Sequence, residues 1–113
     1  MRIFTNETGD MYVNAISQLH DGTDVEGHLY YTQAGVKSGA IQFQRGPIQE
    51  AGVNGITNEA LLTVLIHRTK FLDSKFPCPE NKAAIQSMDS ALAALDLRTT
   101  RRQARGVEGL NLA

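Results

Sequence analysis

A run of four arginines near the carboxyl end lies in the stretch Leu97-Arg98-Thr99-Thr100-Arg101-Arg102-Gln103-Ala104-Arg105-Gly106-Val107-Glu108-Gly109. Before this stretch, small and apolar residues recur at steps of three and four, which predicts one face of a helix. These residues are Ala84, Met88, Ala91 and Leu95. The same steps continue to Arg98, Arg102 and Arg105. We therefore expect a buried stripe that ends in a row of guanidinium groups.

Two interpretations of this arginine row remain open from the sequence alone. A guanidinium group offers five donors in a flat fork that matches phosphate and carboxylate oxygens, which indicates a site for an anionic ligand. Alternatively, cations in the last turns of a helix only complement its carbonyl end, by about 0.3–1 kcal/mol each. Arg101 lies in the same run and shares both interpretations.

The length and the charge distribution restrict the classes of function. A chain of 113 residues predicts one small domain, and assembly would help it to bury more surface. The net charge is −1, with −3 in residues 1–56 and +2 in residues 57–113. A duplex-binding domain typically carries a broad cationic surface, so this balance favours a small anion over a nucleic acid.

Cysteine content and hydropathy give further expectations. The single Cys78 excludes an internal disulfide framework, and no zinc-ligand spacing occurs, so we expect neither metal nor cofactor. The amino terminus turns polar at once, unlike a signal peptide. The longest apolar segment, residues 60–66, is too short to cross a bilayer. The sequence therefore predicts a soluble cytoplasmic protein without a membrane partner.

Residues 1–45 predict a small antiparallel β-meander. Turn-forming segments separate runs rich in β-branched and aromatic residues. The predicted strands are Arg2–Thr5, Met11–Leu19, Gly27–Gln33 and Ala40–Gln44. In the last of these, Ile41 and Phe43 alternate with glutamines, as expected for one buried face and one solvated face.

Residues 46–56 predict a glycine-rich connector without regular structure. This segment contains three glycines, one proline and an Asn-Gly pair. Its exposed backbone amides could bind an anion, which makes Gly52, Val53, Asn54 and Gly55 candidate ligand-binding residues. A plain connection from strand to helix explains the same composition equally well.

Residues 57–113 predict a hairpin of two antiparallel helices. Thr57 or Asn58 can cap the first helix, which we expect to end near Leu72. Its expected buried side carries Leu61, Val64, Leu65, Arg68 and Leu72, widened by Leu62 and Ile66. A short loop with two prolines follows, and the second helix is expected from Pro79 to Gln103. The predicted fold class is therefore α+β, with an amino-terminal antiparallel sheet followed by a two-helix hairpin.

Two further residues near the hairpin loop are candidates for ligand binding. Phe71 lies at the end of the first helix, where an aromatic ring can cap the core or stack on a base. Asn81 lies just inside the second helix, where its amide can bond nearby backbone or the polar edge of a ligand. No nucleophile with a base at suitable spacing and no known catalytic motif occurs, so we expect no enzyme.

Two ordered segments resemble the helical hairpin domain shared by phage anti-Thoeris and anti-CBASS sponges. The first reads Phe43-Gln44-Arg45-Gly46-Pro47-Ile48-Gln49-Glu50-Ala51-Gly52-Val53-Asn54-Gly55, and the second runs from Arg98 to Gly109. Together they span residues 43–109. The β-rich amino-terminal part is more similar to the anti-Thoeris members than to the all-helical anti-CBASS members.

The resemblance implies a function. Such proteins bind nucleotide immune signals in the infected bacterial cell without degrading them. The implied ligand is glyco-cyclic ADP-ribose made by Thoeris TIR proteins, with cyclic dinucleotides and trinucleotides as further ligands. It also implies a homo-oligomer, either a dimer or a hexamer built from dimers. Phe71 would stack on adenine, Asn81 would bond polar groups, and Arg98 and Arg102 would hold the pyrophosphate.

Three other classes of function remain as alternatives. A phage hydrolase of the same signals would need a general base and a positioned water. A nucleic-acid-binding regulator would use the arginine row and show steep salt dependence. The row could also bind an acidic protein partner.

Overall fold

The computed structural model of the protein describes residues 1–104 and 106. Strands precede helices, which confirms the predicted α+β class. The elements are β1 (Arg2–Thr5), β2 (Met11–Gln18), β3 (Asp24–Ala34), β4 (Lys37–Gln42), α1 (Ile48–Ala51), α2 (Asn58–Lys75) and α3 (Pro79–Ala104). The chain divides into two compact units, Met1–Ile56 and Thr57–Ala113, which are described separately below.

The first unit is built on a four-stranded antiparallel sheet in the order β1-β2-β3-β4. Tyr30 of β3 lies between Ala15 of β2 and Ile41 of β4, and its ring packs edge-on against Phe43 with centroids 5.7 Å apart. Such T-shaped aromatic pairs stabilise a sheet face beyond the area that they bury. Val25 is almost completely buried, with 2% of its surface exposed.

A short parallel bridge ends the first unit and closes the connector into a loop. Phe43 pairs with Ile56, while Gln44 N–H donates to the Ile56 carbonyl and Ile56 N–H donates to the Gln42 carbonyl. The prediction that residues 46–56 lack regular structure is wrong for Ile48–Ala51, which form the one-turn helix α1. Pro47 precedes it in an extended conformation, and such a residue is well suited to a helix start.

The second unit is the predicted helical hairpin. Thr57 caps α2, because its hydroxyl accepts a hydrogen bond from Ala60 N–H at 3.2 Å. At the loop, Asp73 accepts from Cys78 N–H at 3.1 Å and pairs with the Lys82 ammonium at 3.0 Å. α2 ends at Lys75, three residues beyond the predicted end.

The buried stripe of α3 differs from the predicted one. Its half-buried side chains follow steps of four and three: Asn81, Ile85, Met88, Leu92, Leu95, Thr99 and Arg102. Met88, Leu95 and Arg102 were expected in this stripe, but Ala84, Ala91 and Arg98 are exposed. The step pattern allows both stripes, and the larger Ile85 and Leu92 side chains bury more apolar area against α2 than alanine can.

The packed face of α2 is also rotated from the predicted one. Ile66 is its most buried residue, at 7% exposure, flanked by Leu62 and Thr69. Val64 and Leu65, which were expected to be buried, are 60% and 46% exposed. The hairpin therefore keeps an apolar surface that its own two helices do not cover.

Within the part of the chain that the structure describes, no helix is long and apolar enough to span a membrane.

Candidate functional site

The predicted ligand-binding residues fall in three separate places. The first is the loop that contains Gly52, Val53, Asn54 and Gly55. The second is the loop end of the hairpin, with Phe71 and Asn81. The third is the carboxyl end of α3, with Arg98, Arg101 and Arg102. Arg105 lies outside the described residues.

The arginines of α3 lie on a part of this helix that extends beyond the start of α2. α2 has 18 residues and α3 has 26, and only residues 76–78 separate them. At about 1.5 Å per residue, the last eight residues of α3 project about 12 Å beyond the start of α2. Neighbouring chain in α2 therefore does not shield this end of α3.

Arg98 and Arg102 are one helical turn apart on this projecting end. Side chains four residues apart lie about 5–6 Å from each other at Cβ, so two guanidinium groups can reach the two phosphates of one pyrophosphate. Arg98 is exposed and Arg102 is half-buried at the end of the stripe. Arg101 is exposed and neighbours Arg98 three residues away, so it adds positive charge to the same end of the helix.

The loop end of the hairpin presents an aromatic ring and an amide. Phe71 is 50% exposed, and the Lys75 ammonium lies 5.8 Å from its ring centroid, within cation–π range. Asn81 donates its backbone N–H to the Cys78 sulfur and its side-chain amide to the Phe76 carbonyl at a long 3.5 Å. The side-chain bond is at the weak limit of hydrogen-bond geometry, so a ligand could displace it.

These two groups of residues cannot meet on one small ligand within a single hairpin. Asn81 and Arg98 are 17 positions apart on one continuous helix, which corresponds to about 25 Å along its axis. One nucleotide of the cyclic ADP-ribose type is too short to bridge that distance. Phe71 and Asn81 lie at one end of the hairpin, and the arginines lie at the other.

The loop residues divide into exposed and structural ones. Val53 is 79% exposed, whereas the Asn54 side chain bonds both backbone groups of Arg45. Gly55 is required by packing, because a Cβ atom there would lie 2.4 Å from the Phe43 carbonyl carbon. The glycine at this position therefore permits the close approach that forms the parallel bridge to Phe43.

Sequence reasoning missed two residues that organise these places. Gln44 bonds three residues of the loop, but the alternation of the last strand predicted only a solvent-facing side chain. Asp73 joins the hairpin loop to α3, and an acidic residue near a helix end gave no specific signal. Gln44 and Asp73 form hydrogen bonds to residues as far as ten and nine positions away, and the local sequence pattern does not reveal such bonds.

The remaining titratable residues form no metal-binding group in the described part of the chain, where no three His, Cys, Asp or Glu side chains cluster suitably. An open apolar groove of about 260 Å³ lies on the hairpin near the start of α2. It is lined by Asn58, Leu61, Leu62, Leu65 and Leu95. The groove thus adjoins the projecting end of α3.

Comparison with known proteins identifies similarity across both units. Residues 37–100 match the family described as Acb2/Tad1, hairpin domain. The chain is also 45% identical over 74 residues to "Thoeris anti-defense 1" of Bacillus phage SBSphiJ7. That alignment covers 65% of this chain and 52% of the phage protein, so the chain matches about half the length of this relative.

Proposed function

The chain belongs to the Acb2/Tad1 hairpin-domain family, and on that premise we propose that it is a phage anti-defence sponge that binds nucleotide immune signals. Membership confirms the resemblance drawn from the two sequence segments. The proposed ligand is glyco-cyclic ADP-ribose made by a Thoeris TIR protein in the infected host cell, with cyclic dinucleotides and trinucleotides as further ligands. The relative from a Bacillus phage, named for Thoeris anti-defence, supports this choice.

The observation that carries the proposal is the pair Arg98 and Arg102 on the projecting end of α3. Two guanidinium groups one turn apart match a pyrophosphate, whereas two scattered surface cations would not. Charge-assisted hydrogen bonds to phosphate are about twice as strong as neutral ones. The arginine pair would therefore supply most of the affinity for the anionic part of the ligand.

A complete site would need two copies of the chain. If two hairpins pack side by side in opposite directions, the loop end of one lies beside the projecting end of the other. Phe71 and Asn81 of one copy would then meet Arg98 and Arg102 of the second. A two-fold axis would generate two identical sites. The uncovered Val64 and Leu65, together with Leu97 at 49% exposure, support such pairing because a second copy could bury them.

The proposed mechanism is sequestration without turnover. Phe71 would stack on the adenine, Asn81 would bond polar groups of the ligand, and the arginines would hold the pyrophosphate. A sponge inhibits only if it is made in amounts comparable to its signal and binds tightly. At a Kd of about 1 nM, or about −12 kcal/mol, little free signal would remain to activate an effector.

The test is a calorimetric titration of the purified protein with glyco-cyclic ADP-ribose, cyclic dinucleotides and cyclic trinucleotides. The complex is then heat-denatured, and the released nucleotide is identified by mass. Tight binding with intact release supports a sponge and ranks its signals. Release of a chemically altered nucleotide would indicate a hydrolase and contradict the sponge. The absence of binding to every nucleotide tested would overturn the proposal. Oligonucleotides in the same assay test the nucleic-acid alternative through its salt dependence.

A further inference from the structure

The sequence contains one Asn-Gly pair, Asn54-Gly55, in the loop between β4 and α2. Asparagine is chemically labile, and a following glycine leaves the backbone nitrogen unhindered. This nitrogen can attack Asn54 Cγ and form a cyclic imide, while the bond from Cγ to Nδ2 breaks and Nδ2 leaves as ammonia with the proton of the Gly55 N–H. Water then opens the imide at one of its two carbonyls, which yields aspartate or isoaspartate.

Hydrogen bonds within the first unit hold the reacting side chain. Asn54 Oδ1 accepts from Arg45 N–H at 2.8 Å, and Asn54 Nδ2 donates to the Arg45 carbonyl at 2.7 Å. Gln44 Oε1 accepts from Asn54 N–H at 2.9 Å, and Gln44 Nε2 donates to the Gly52 carbonyl at 2.7 Å. We call the side chains of Gln44 and Asn54 the amide clasp. The leaving group and the carbonyl oxygen of Asn54 are thus both engaged, although the residue is exposed.

The attacking nitrogen is held as well. Gly55 lies so close to the backbone of Phe43 that a Cβ atom there would overlap it. On its carboxyl side, Ile56 N–H donates to the Gln42 carbonyl at 2.9 Å, and the Ile56 carbonyl accepts from Gln44 N–H at 2.8 Å. Closure of the imide ring requires Gly55 N and Asn54 Cγ to leave these contacts, so the reaction proceeds from an opened form of the loop.

The products of the reaction cannot restore the closed loop. An ionised aspartate only accepts hydrogen bonds, so the Arg45 carbonyl would face a second acceptor in place of the Nδ2 donor. Isoaspartate places an additional carbon atom in the main chain directly before Gly55, where the backbone is packed against Phe43. Either product therefore disfavours the contacts that close the loop.

We propose that Asn54-Gly55 is a latent modification site that the amide clasp protects, and that its deamidation is a one-way step from a closed to an open loop. The closed loop keeps Asn54 unreactive, and each local opening exposes it to imide formation. The rate of deamidation thus reports how often the loop opens. The inference concerns the first unit alone and does not depend on the ligand of the protein.

The first experiment follows deamidation in the full chain during incubation in mildly alkaline buffer. After denaturation, tryptic cleavage at Arg45 and Arg68 releases residues 46–68, in which Asn58 is an internal reference outside the clasp. Mass spectrometry measures the conversion of Asn54 and Asn58, and enzymatic methylation detects isoaspartate. Wild-type protein incubated in guanidinium chloride gives the rate of the unprotected Asn-Gly pair.

Two isosteric variants test the protection. Gln44→Met keeps the side-chain volume and removes three hydrogen bonds of the loop, whereas Gln42→Met is the matched control on the exposed end of β4. We expect Asn54 to react about tenfold faster in folded Gln44→Met than in folded wild type, with Gln42→Met unchanged. Equal rates in the folded and the denatured wild type, or equal rates in the two variants, would overturn the protection by the clasp.

A third variant, Asn54→Asp, carries one product of the reaction and tests the one-way step. Hydrogen exchange of the Ile56 N–H reports the closed loop, because this group donates to the Gln42 carbonyl. We expect Ile56 to lose its protection in Asn54→Asp and to keep it in Asn58→Asp, which adds the same charge outside the clasp. Unchanged amide resonances of β2 and β3 verify that the sheet is folded. Full protection of Ile56 in Asn54→Asp would overturn the one-way step.

Discussion

Arg98 and Arg102 differ in burial although both lie on the projecting end of α3. Arg98 is exposed, whereas Arg102 is the last residue of the half-buried stripe. An exposed guanidinium group can be ordered by a phosphate without the loss of any existing contact. Because Arg98 is exposed and Arg102 is half-buried, replacing Arg98 should disturb the packing of the hairpin less than replacing Arg102.

The first prediction concerns Arg98→Ala. If Arg98 contacts the pyrophosphate in a desolvated site, its truncation should weaken binding of glyco-cyclic ADP-ribose by about 2 kcal/mol or more. Lys37→Ala, at the start of β4, removes the same charge and should leave affinity nearly unchanged. Calorimetry of both variants gives the comparison, and thermal unfolding verifies that both fold. Equal affinity of Arg98→Ala and wild type would remove Arg98 from the site.

The second prediction concerns the pH dependence of the hairpin. The hydrogen bond from Lys82, then the one from Cys78 N–H, and the charge of Lys82 hold the pKa of Asp73 below its ordinary value of 3.8. A carboxyl group with a lowered pKa in the folded state stabilises the fold above pH 3.8, and this contribution is lost as the pH falls through the folded pKa. The midpoint temperature of thermal unfolding should therefore decrease as the pH drops below about 4.

The matched variants for this pH effect are Asp73→Asn and Asp89→Asn. In Asp73→Asn the new amide oxygen could still accept from Cys78 N–H but would carry no charge for Lys82. The thermal midpoint of this variant should therefore be lower at about pH 6 and depend less on acid. Asp89→Asn changes an exposed carboxyl group on α3 and should follow the wild-type profile. Asp10 and Asp21 also have a lowered pKa, so the difference between variants is the decisive measurement.

At the scale of elements, the order and type of the four strands and the two long helices could be predicted because their signals are local. Their limits were less accurate, since β3 begins at Asp24 instead of Gly27 and β4 spans Lys37–Gln42 instead of Ala40–Gln44. The cap at Thr57, the prolines of the hairpin loop and the turns of the meander are all set by residues close in sequence. The packed faces of α2 and α3 were predicted wrongly in part. Steps of three and four fit either Ala84 and Ala91 or Ile85 and Leu92, and only the partner helix decides between them.

The residues of the candidate site stay predictions from the sequence. Phe71, Asn81 and the arginines could be selected by residue type and position, since each lies at an element end where side chains reach solvent. The hydrogen bond between Gln44 and Asn54 could not be predicted, because these residues are ten positions apart and meet only through the closed loop.

The third prediction tests the bridge that closes the loop. Gly55→Ala would place a Cβ atom against the backbone of Phe43 and Gln42, which cannot move aside as a flexible side chain can. We expect a loss of about 1–3 kcal/mol of stability in the first unit, the usual cost of overpacking. Gly39→Ala is the control, because its Cβ would meet only the Thr32 hydroxyl at 3.1 Å. Thermal unfolding that ranks the two variants equally would contradict this explanation of Gly55.

At the scale of the whole molecule, the decisive feature is the length of α3. A site made from both hairpin ends requires two chains, because about 25 Å of helix separates Asn81 from Arg98 within one chain. Each end of a hairpin would then be half of a site. Ligand binding and association would be linked, since a ligand that binds only the paired form stabilises that form.

The fourth prediction tests whether the site is divided between two chains. One variant, Phe71→Ala with Asn81→Ala, loses the half-site at the hairpin loop, and another, Arg98→Ala with Arg102→Ala, loses the half-site at the arginine end. Neither should bind glyco-cyclic ADP-ribose alone. When the two are co-expressed with different tags and purified through both, each mixed dimer should contain one site with all four residues and one with none. Binding should therefore return with wild-type affinity at about half the wild-type number of sites.

The control for this experiment is co-expression of two differently tagged copies of the same variant, which should bind nothing. A site built within one chain predicts a different result, because every chain in the mixture would still lack half of its contacts and mixing could restore none. Recovery of affinity thus distinguishes a shared site from an internal one without any measurement of oligomer size. If mixed dimers form and fail to bind, the opposite packing of two hairpins is wrong, and Phe71 and the arginine pair must serve separate ligands or separate roles.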